Sequence, residues 1–132
     1  MNELTAEWVE KVEGDFTTAG PDLRARKQPN YDTACFHAQQ VVEKYLKAFL
    51  QENGQQFPKT HNLVHLLELC LTIDRDFEPY RIQLIVLDRY AVRYRYPGDA
   101  AGVDEARDAF RTARVLRQFL RVKLGLDGGD AA

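Results

Sequence analysis

Four side chains that can donate hydrogen bonds are spaced so that they would share one face of a helix. They are His37, Gln40, Lys44 and Lys47, at positions i, i+3, i+7 and i+10. A helical repeat of about 3.6 residues brings such positions into one stripe. Donors with no carboxylate in their row suit a phosphate group, so the stripe predicts a surface that binds a nucleotide or a protein partner. The alternative is a solvated helix face on which Glu43 pairs with Lys47 at i, i+4.

A second candidate surface lies where arginine and tyrosine residues are concentrated near the end of a later segment. Its members are Arg89, Tyr90, Arg93, Tyr94, Arg95 and Tyr96. Guanidinium groups bind phosphate and tyrosine rings stack on bases, so Arg93, Arg95 and Tyr96 are predicted to bind a nucleotide or RNA. In the alternative, which is equally consistent with the pattern, the tyrosines pack at the edge of the core. The arginines would then pair with Asp88, Asp99 or Asp104.

Two histidines and a glutamate have the spacing of metal ligands on one helix. His61, His65 and Glu68 lie at i, i+4 and i+7, which zinc can accept. Two or three ligands from one helix do not complete a site, and no matching cluster of cysteine or histidine occurs elsewhere. Because His61 also stands where a helix cap is needed, we interpret the group as structural and predict neither a metal nor another cofactor.

Arginines also recur along the last predicted helix, within about a third of its circumference. They are Arg107, Arg111, Arg114, Arg117 and Arg121. In a dimer, two such stripes could align into a groove for RNA or for an acidic partner. The favoured alternative is a solvated face whose charge is relieved by Asp104 and Asp108.

The element that must position the first stripe is an amphipathic helix in the middle of the chain. The segment CFHAQQVVEKYLKAFL, Cys35 to Leu50, places its apolar residues on one broad arc and its polar residues on the opposite arc. We predict a helix from about Tyr31 to Asn53. Gly54 would end it in the left-handed conformation.

The sequence before and after that helix predicts four further helices that would pack against it. A shorter helix from Thr5 to about Thr18, with Thr5 as its cap, would end at Gly20-Pro21. A third would begin at a cap on Thr60 or His61. The fourth is predicted to run from about Pro79 to Tyr94, and the fifth from the acidic residues after Pro97-Gly98 to Leu124. No segment alternates with the period of two that marks a strand.

The predicted fold class is therefore all-α, an up-and-down helical bundle of four principal helices plus one short helix. A single domain would span residues 1–124, and residues 125–132 would form a flexible C-terminal tail. With 132 residues, 45% of them hydrophobic, and a net charge of −2, the chain is predicted to be globular and no general polyanion binder.

Cysteine usage and the N-terminus indicate a compartment. Cys35 and Cys70 both fall at apolar positions of predicted helices, so we interpret them as buried thiols. The N-terminal sequence MNELTAEWVEKVEGDF lacks the basic and apolar regions of a signal peptide, and no apolar run is long enough for a membrane span. These features predict a reduced cytoplasmic protein that does not enter a membrane.

Taken together, three motifs give the chain a resemblance to a known family. AQQVVEKYLKAFL is followed by Gly54 and PKTHNLVHLLE, and then by a tyrosine-rich helix that ends in RYRYPGD. The combination resembles the HEPN domain, and more narrowly the branch encoded beside minimal nucleotidyltransferases in prokaryotes. The resemblance covers about Thr5 to Leu124.

The resemblance implies a helical homodimer with one of two functions. One is a metal-independent ribonuclease toxin with an Arg-x(4–6)-His motif near the start of the last helix; the other is a non-catalytic partner that binds nucleotide or a nucleotidyltransferase. Here no histidine follows Arg93 or Arg95, and all three histidines lie upstream. We therefore predict no catalytic residue and a non-catalytic component of a nucleotidyltransferase/HEPN pair of the toxin–antitoxin type. A divergent ribonuclease that uses His37 or His61, or a purely structural dimer, are the alternatives.

Overall fold

The computed structural model describes residues 1–24, 31–93 and 98–126, and of residues 15–24 the backbone alone. Five α-helices and one short 3-10 helix make up this part of the chain, and it contains no strand. The α-helices are α1 (Glu3–Arg24), α2 (Tyr31–Glu52), α3 (Leu63–Leu71), α4 (Arg81–Arg93) and α5 (Val103–Lys123), and the 3-10 helix spans Arg75–Tyr80. The predicted all-α bundle is confirmed.

Helix α2 is the centre of the bundle, because it packs against α1, α3, α4 and α5. Its apolar arc carries Tyr45, Leu46 and Leu50, all fully buried. Each buried side chain of this size stabilises the fold by roughly 1.5–3 kcal/mol relative to exposure. The predicted bounds of α2 agree with the structure to within one residue, since the apolar pattern that predicts the helix is the same pattern that buries it.

Several helix ends differ from the prediction. Asn2, rather than Thr5, caps α1: its side-chain oxygen accepts a hydrogen bond from the backbone N–H of Thr5 at 2.8 Å. The same helix continues to Arg24, so Gly20-Pro21 does not end it. A proline removes one backbone donor and strains the preceding turn, but the residues after it can stay helical.

The cap of α3 and the start of α4 also differ from the prediction. Asn62, one residue beyond the predicted caps, accepts a hydrogen bond from the backbone N–H of His65 at 2.9 Å. Pro79 lies inside the 3-10 helix, and α4 begins only at Arg81. The predicted place of Pro79 in the first turn of α4 is therefore wrong, because the residues before α4 take the tighter 3-10 form and include the proline.

Two glycines end helices in the left-handed conformation. Gly54 has a φ of 68°, and the backbone N–H of Gln55 donates to the carbonyl of Leu50 at 2.9 Å. At the end of α5, Gly125 has a φ of 78°, and Leu126 N–H donates to the Arg121 carbonyl at 2.8 Å. Both are Schellman motifs. The role of Gly54 is confirmed; residues 127–132 of the predicted tail lie outside the described residues.

A partly buried ionic cluster joins α1, α2 and α5. Arg117 holds the carboxylate of Glu13 in a bidentate pair, with N–O distances of 2.6 and 2.9 Å. The hydroxyl of Tyr45 donates to the same carboxylate at 2.6 Å, and Arg121 donates to the Tyr45 hydroxyl at 3.3 Å. Arg117 is only 8% exposed. The predicted solvated stripe on α5 is therefore wrong for this residue, although Arg107, Arg111 and Arg114 are exposed.

The Glu13 cluster predicts a specific loss of stability in acid. Burial alone would raise the pKa of Glu13, but the hydrogen bonds from Arg117 and Tyr45 and the arginine charges outweigh burial and hold the pKa below its ordinary 4.5. A carboxyl with a lowered folded-state pKa stabilises the fold above its unfolded pKa, and this stabilisation is lost as pH falls through the folded value. In urea titrations, the stability gap between wild type and Glu13→Gln should shrink between about pH 6 and pH 3. Glu10→Gln, an exposed change on the same helix, is the control for the loss of one carboxylate, and a gap for Glu13→Gln that does not shrink more than the control's would contradict the prediction.

Both cysteines lie in the core. Cys35 and Cys70 are 1% and 0% exposed, and burial raises the pKa of each thiol to about 12. They are free thiols, so the prediction of buried cysteines is confirmed. No helix among the described residues combines the length and apolar character that crossing a membrane requires.

Candidate functional site

The polar arc of α2 is organised by one buried carboxylate. Glu43 is 3% exposed. One of its oxygens accepts a hydrogen bond from Lys47 Nζ at 3.0 Å, and the other accepts one from Nδ1 of His61 at 2.8 Å. The amide nitrogen of Gln39 donates to the carbonyl of His61 at 2.7 Å. The loop before α3 is thereby fixed against α2.

This arrangement corrects the expectation that the polar arc of α2 is solvated. Gln39, Glu43 and Lys47 are all buried, and His61 in the segment before α3 contacts the first two of them. Lys47 is 6% exposed, and its ammonium group lies 5.7 Å from the centre of the Trp8 ring. The alternative pairing of Glu43 with Lys47 at i, i+4 is what the structure contains.

The other three members of the predicted donor stripe remain partly accessible. His37, Gln40 and Lys44 are half-buried on α2. Gln40 donates from its amide nitrogen to the side-chain oxygen of Gln39 at 2.8 Å, so it belongs to the network around Glu43. The structure thus separates Lys47, directed into the fold, from His37 and Lys44, which lie nearer the surface. Binding by any of the four stays a prediction.

A second carboxylate, on α4, faces the same network from the opposite side. Both oxygens of Asp88 lie within 3.2 Å of the backbone N–H of Leu63, and the N–H of Val64 is 3.4 Å from one of them. Burial raises the pKa of Asp88 above its ordinary value and the charge of Glu43 adds to this, although the backbone donors and Gln39 act in the opposite direction. Asp88 therefore holds the first turn of α3 against α4.

Between these elements lies a small recess, with polar side chains among those that line it, beside a larger groove. The recess has a volume of about 220 Å³, and the groove along α4 has a volume of about 590 Å³. The recess is lined by Gln39, His61, Asn62, Asp88, Ala91 and Val92. The groove is lined by Val86, Asp88, Arg89, Tyr90, Val92 and Arg93. Asp88 and Val92 line both, so the two spaces adjoin each other along α4, and together they are called the composite cavity below.

The arginine and tyrosine cluster divides between the two interpretations of its sequence. Tyr90 is packed against the core, and its hydroxyl donates to Asp108 at 3.2 Å. Arg89 and Arg93 are exposed and line the groove, and Arg93 lies 3.9 Å from the exposed carboxylate of Asp99. Arg95 and Tyr96 lie outside the described residues, so their predicted role stays a prediction.

Two of the three residues with metal-ligand spacing are paired with other side chains. His61 donates to Glu43, and Glu68 pairs with Arg81. Asn62, and not His61, caps α3. His61 therefore has a structural role other than the predicted one, because its ring binds Glu43. Across the described ranges, no group of three or more histidine, cysteine, aspartate or glutamate side chains has an arrangement that could hold a metal ion.

Chemically, the composite cavity combines two kinds of group. Its outer part offers two guanidinium groups, which bind phosphate through charge and directed hydrogen bonds. The recess offers a carboxylate, an imidazole and two amides, which suit a polar planar group. Asp88 and Gln39 were not among the predicted site residues, because their place at the site depends on contacts between α4, α2 and the start of α3.

The structure is an all-helical bundle with a central amphipathic helix and a cavity beside α4. Comparison with known protein families identifies the class to which it belongs. The family profile described as HEPN domain matches residues 5–123, and the chain belongs to this family. It is also similar to a solved structure, described as the crystal structure of TT1696 from Thermus thermophilus. The two chains are 27% identical with a TM-score of 0.74, and the match covers 93% of this chain and 99% of that one. Comparison with curated proteins gave no match.

Proposed function

We propose that this HEPN domain is a non-catalytic binding module that holds a nucleotide in the composite cavity of α4. The observation that carries the proposal is the proximity of the exposed guanidinium groups of Arg89 and Arg93 to a recess with hydrogen-bonding side chains. Two guanidinium groups beside a polar recess match the two chemically different ends of a nucleotide.

The proposal includes a partner and an oligomeric state. The resemblance to the HEPN branch encoded beside minimal nucleotidyltransferases supports a separately encoded nucleotidyltransferase as the partner in a toxin–antitoxin type of pair. It also supports a homodimer. His37 and Lys44, half-buried on α2, are the predicted contacts that remain accessible to such a partner. The pair should co-purify when both chains are expressed together, and light scattering of this chain alone should give twice its 15.2 kDa mass.

The absence of the family's ribonuclease motif supports a function other than catalysis. Neither Arg93 nor Arg95 is followed by a histidine anywhere in the sequence. One upstream histidine, His61, lines the recess. The recess adjoins the groove that Arg93 lines. This observation favours a divergent ribonuclease as the second candidate, in which His61 would transfer a proton.

The proposed function is tested by thermal unfolding in the presence of ligand. A ligand that binds only the folded chain adds about 2.7 kcal/mol of stability at a hundred times its dissociation constant. For a domain of this size, the melting temperature should rise by roughly 10 °C with saturating ATP or GTP. A short RNA incubated with the protein should remain intact. RNA cleavage that His61→Ala abolishes would favour the second candidate, and an unchanged melting temperature with every nucleotide would refute the first.

A further inference from the structure

The recess and the outer groove differ in size and in the side chains that line them, so they suit different parts of a ligand. Its walls carry four polar side chains and two small apolar ones and no guanidinium group. At about 220 Å³, the recess is smaller than the roughly 300–1,000 Å³ of most small-molecule sites, whereas the outer groove of about 590 Å³ lies inside that range. A nucleotide would therefore place only one of its groups in the recess.

Most of the hydrogen-bonding capacity of the recess is already used by the protein. The amide nitrogen of Gln39 is directed to the carbonyl of His61, and its oxygen accepts from Gln40. The side-chain oxygen of Asn62 accepts from the N–H of His65. Asp88 already accepts hydrogen bonds from the backbone N–H groups of Leu63 and Val64 and from Gln39, so of the about four lone-pair positions of a carboxylate about one is left for a ligand.

His61 is a second acceptor because of its pairing with Glu43. A carboxylate can only accept, so the proton of this contact lies on Nδ1 of His61, and in the neutral form of the ring Nε2 is an acceptor. The ring is not enclosed, since 70% of the His61 side chain is exposed. Lys47 bonds to the other oxygen of Glu43, which fixes this orientation of the carboxylate.

The charges around the recess disfavour phosphate there. Asp88 lines it and Glu43 lies behind it, and the one lysine of the network, Lys47, is paired with Glu43. In the groove, Asp88 is joined by the guanidinium groups of Arg89 and Arg93, which can bind phosphate, whereas no guanidinium or ammonium group lines the recess. A group that donates hydrogen bonds is the complement of the recess.

We infer that the recess takes the base of the bound nucleotide and that Asp88, with His61 beside it, selects bases that carry an exocyclic amino group. The amino group donates to the Asp88 carboxylate, and Ala91 and Val92 contact the face of the ring. The phosphates lie toward Arg89 and Arg93. This inference rests on the proposed function, because it assigns the two ends of the nucleotide within the same cavity.

Matched nucleotide pairs test the inference with the unaltered protein. ATP and purine riboside triphosphate differ only by the 6-amino group, and GTP and ITP differ only by the 2-amino group. Loss of a hydrogen bond to a charged acceptor should weaken binding about tenfold or more, so calorimetric titration should show this difference in at least one pair. Equal affinities within both pairs would overturn the inference but leave nucleotide binding intact. Failure of all four to bind would instead refute the proposed function.

A variant then tests the assignment to Asp88. Asp88→Asn keeps an oxygen for the N–H of Leu63 but replaces the charged acceptor with an amide. The preference for the amino-bearing nucleotide should fall below about threefold, while the affinity for inorganic triphosphate should not decrease. Asp104→Asn, an exposed change on α5, is the control and should retain the full preference. A preference that survives Asp88→Asn would overturn the assignment.

Discussion

Replacing Glu43 with alanine is expected to lower the free energy of unfolding by about 3 kcal/mol. The substitution leaves the ammonium group of Lys47, itself 6% exposed, without the carboxylate that lies 3.0 Å away. It also removes the acceptor that holds the ring of His61. A buried charge deprived of its partner costs several kcal/mol because it keeps its desolvation penalty. Urea denaturation followed by circular dichroism measures the change.

A matched pair and a double variant separate this effect from ordinary truncation. Glu68 forms an exposed pair with Arg81, so Glu68→Ala should cost less than about 1 kcal/mol. The double change of Glu43→Leu with Lys47→Met removes both charges at once and should recover most of the stability that Glu43→Ala loses. A Glu43→Ala variant no less stable than Glu68→Ala would show that the buried pair contributes little.

The same network connects stability to the cavity. Glu43 fixes His61, and Gln39 binds the backbone of His61, so the wall of the recess depends on α2. The predicted donor stripe therefore contributes to the shape of the cavity, even though Lys47 is not directed to solvent. Its side chains hold the loop that shapes the cavity. Within that stripe, His37 and Lys44 keep positions from which a partner could be contacted directly.

The fold could be predicted from the sequence where local pattern and tertiary burial agree. The apolar positions of α2 recur with helical spacing, and the structure buries those positions against four neighbouring helices. Helix ends were less predictable. Thr5 and Thr60 have the right chemistry for caps, but Asn2 and Asn62 occupy the positions at which the first turns begin. Which of several polar residues caps a helix depends on where packing sets that first turn.

The candidate site was less predictable because its groups come together across long sequence separations. Asp88 contacts the backbone of Leu63, 25 residues away, and Glu43 contacts His61, 18 residues away. Helical periodicity can show that Glu43 is close to Lys47 on α2, but not that both are buried or that His61 contacts Glu43. In the same way, Arg117 and Arg111 lie at opposite edges of the arginine stripe on α5, and helical periodicity does not show that Glu13 of α1 pairs with Arg117.

The largest effect on ligand binding is expected when both guanidinium groups of the outer groove are removed. Replacing Arg89 and Arg93 together with alanine should weaken the affinity for ATP or GTP roughly 30-fold, because each charged contact with phosphate contributes about 1 kcal/mol at an exposed site. Both residues are exposed, so the melting temperature without ligand should change little. Calorimetry at fixed ionic strength measures the affinity, and the salt dependence of binding should decrease along with it.

A variant with the same loss of charge elsewhere distinguishes a site from general attraction. Arg107 and Arg111 are exposed on α5 and line neither the recess nor the groove along α4, so their double replacement with alanine lowers the net charge by the same amount without altering the cavity. If long-range attraction governed binding, both double variants would lose affinity equally. If the guanidinium groups of Arg89 and Arg93 contact the phosphates, only their removal will lower the affinity strongly. Equal losses would therefore place the nucleotide away from α4, and the composite cavity would have to be abandoned as its site.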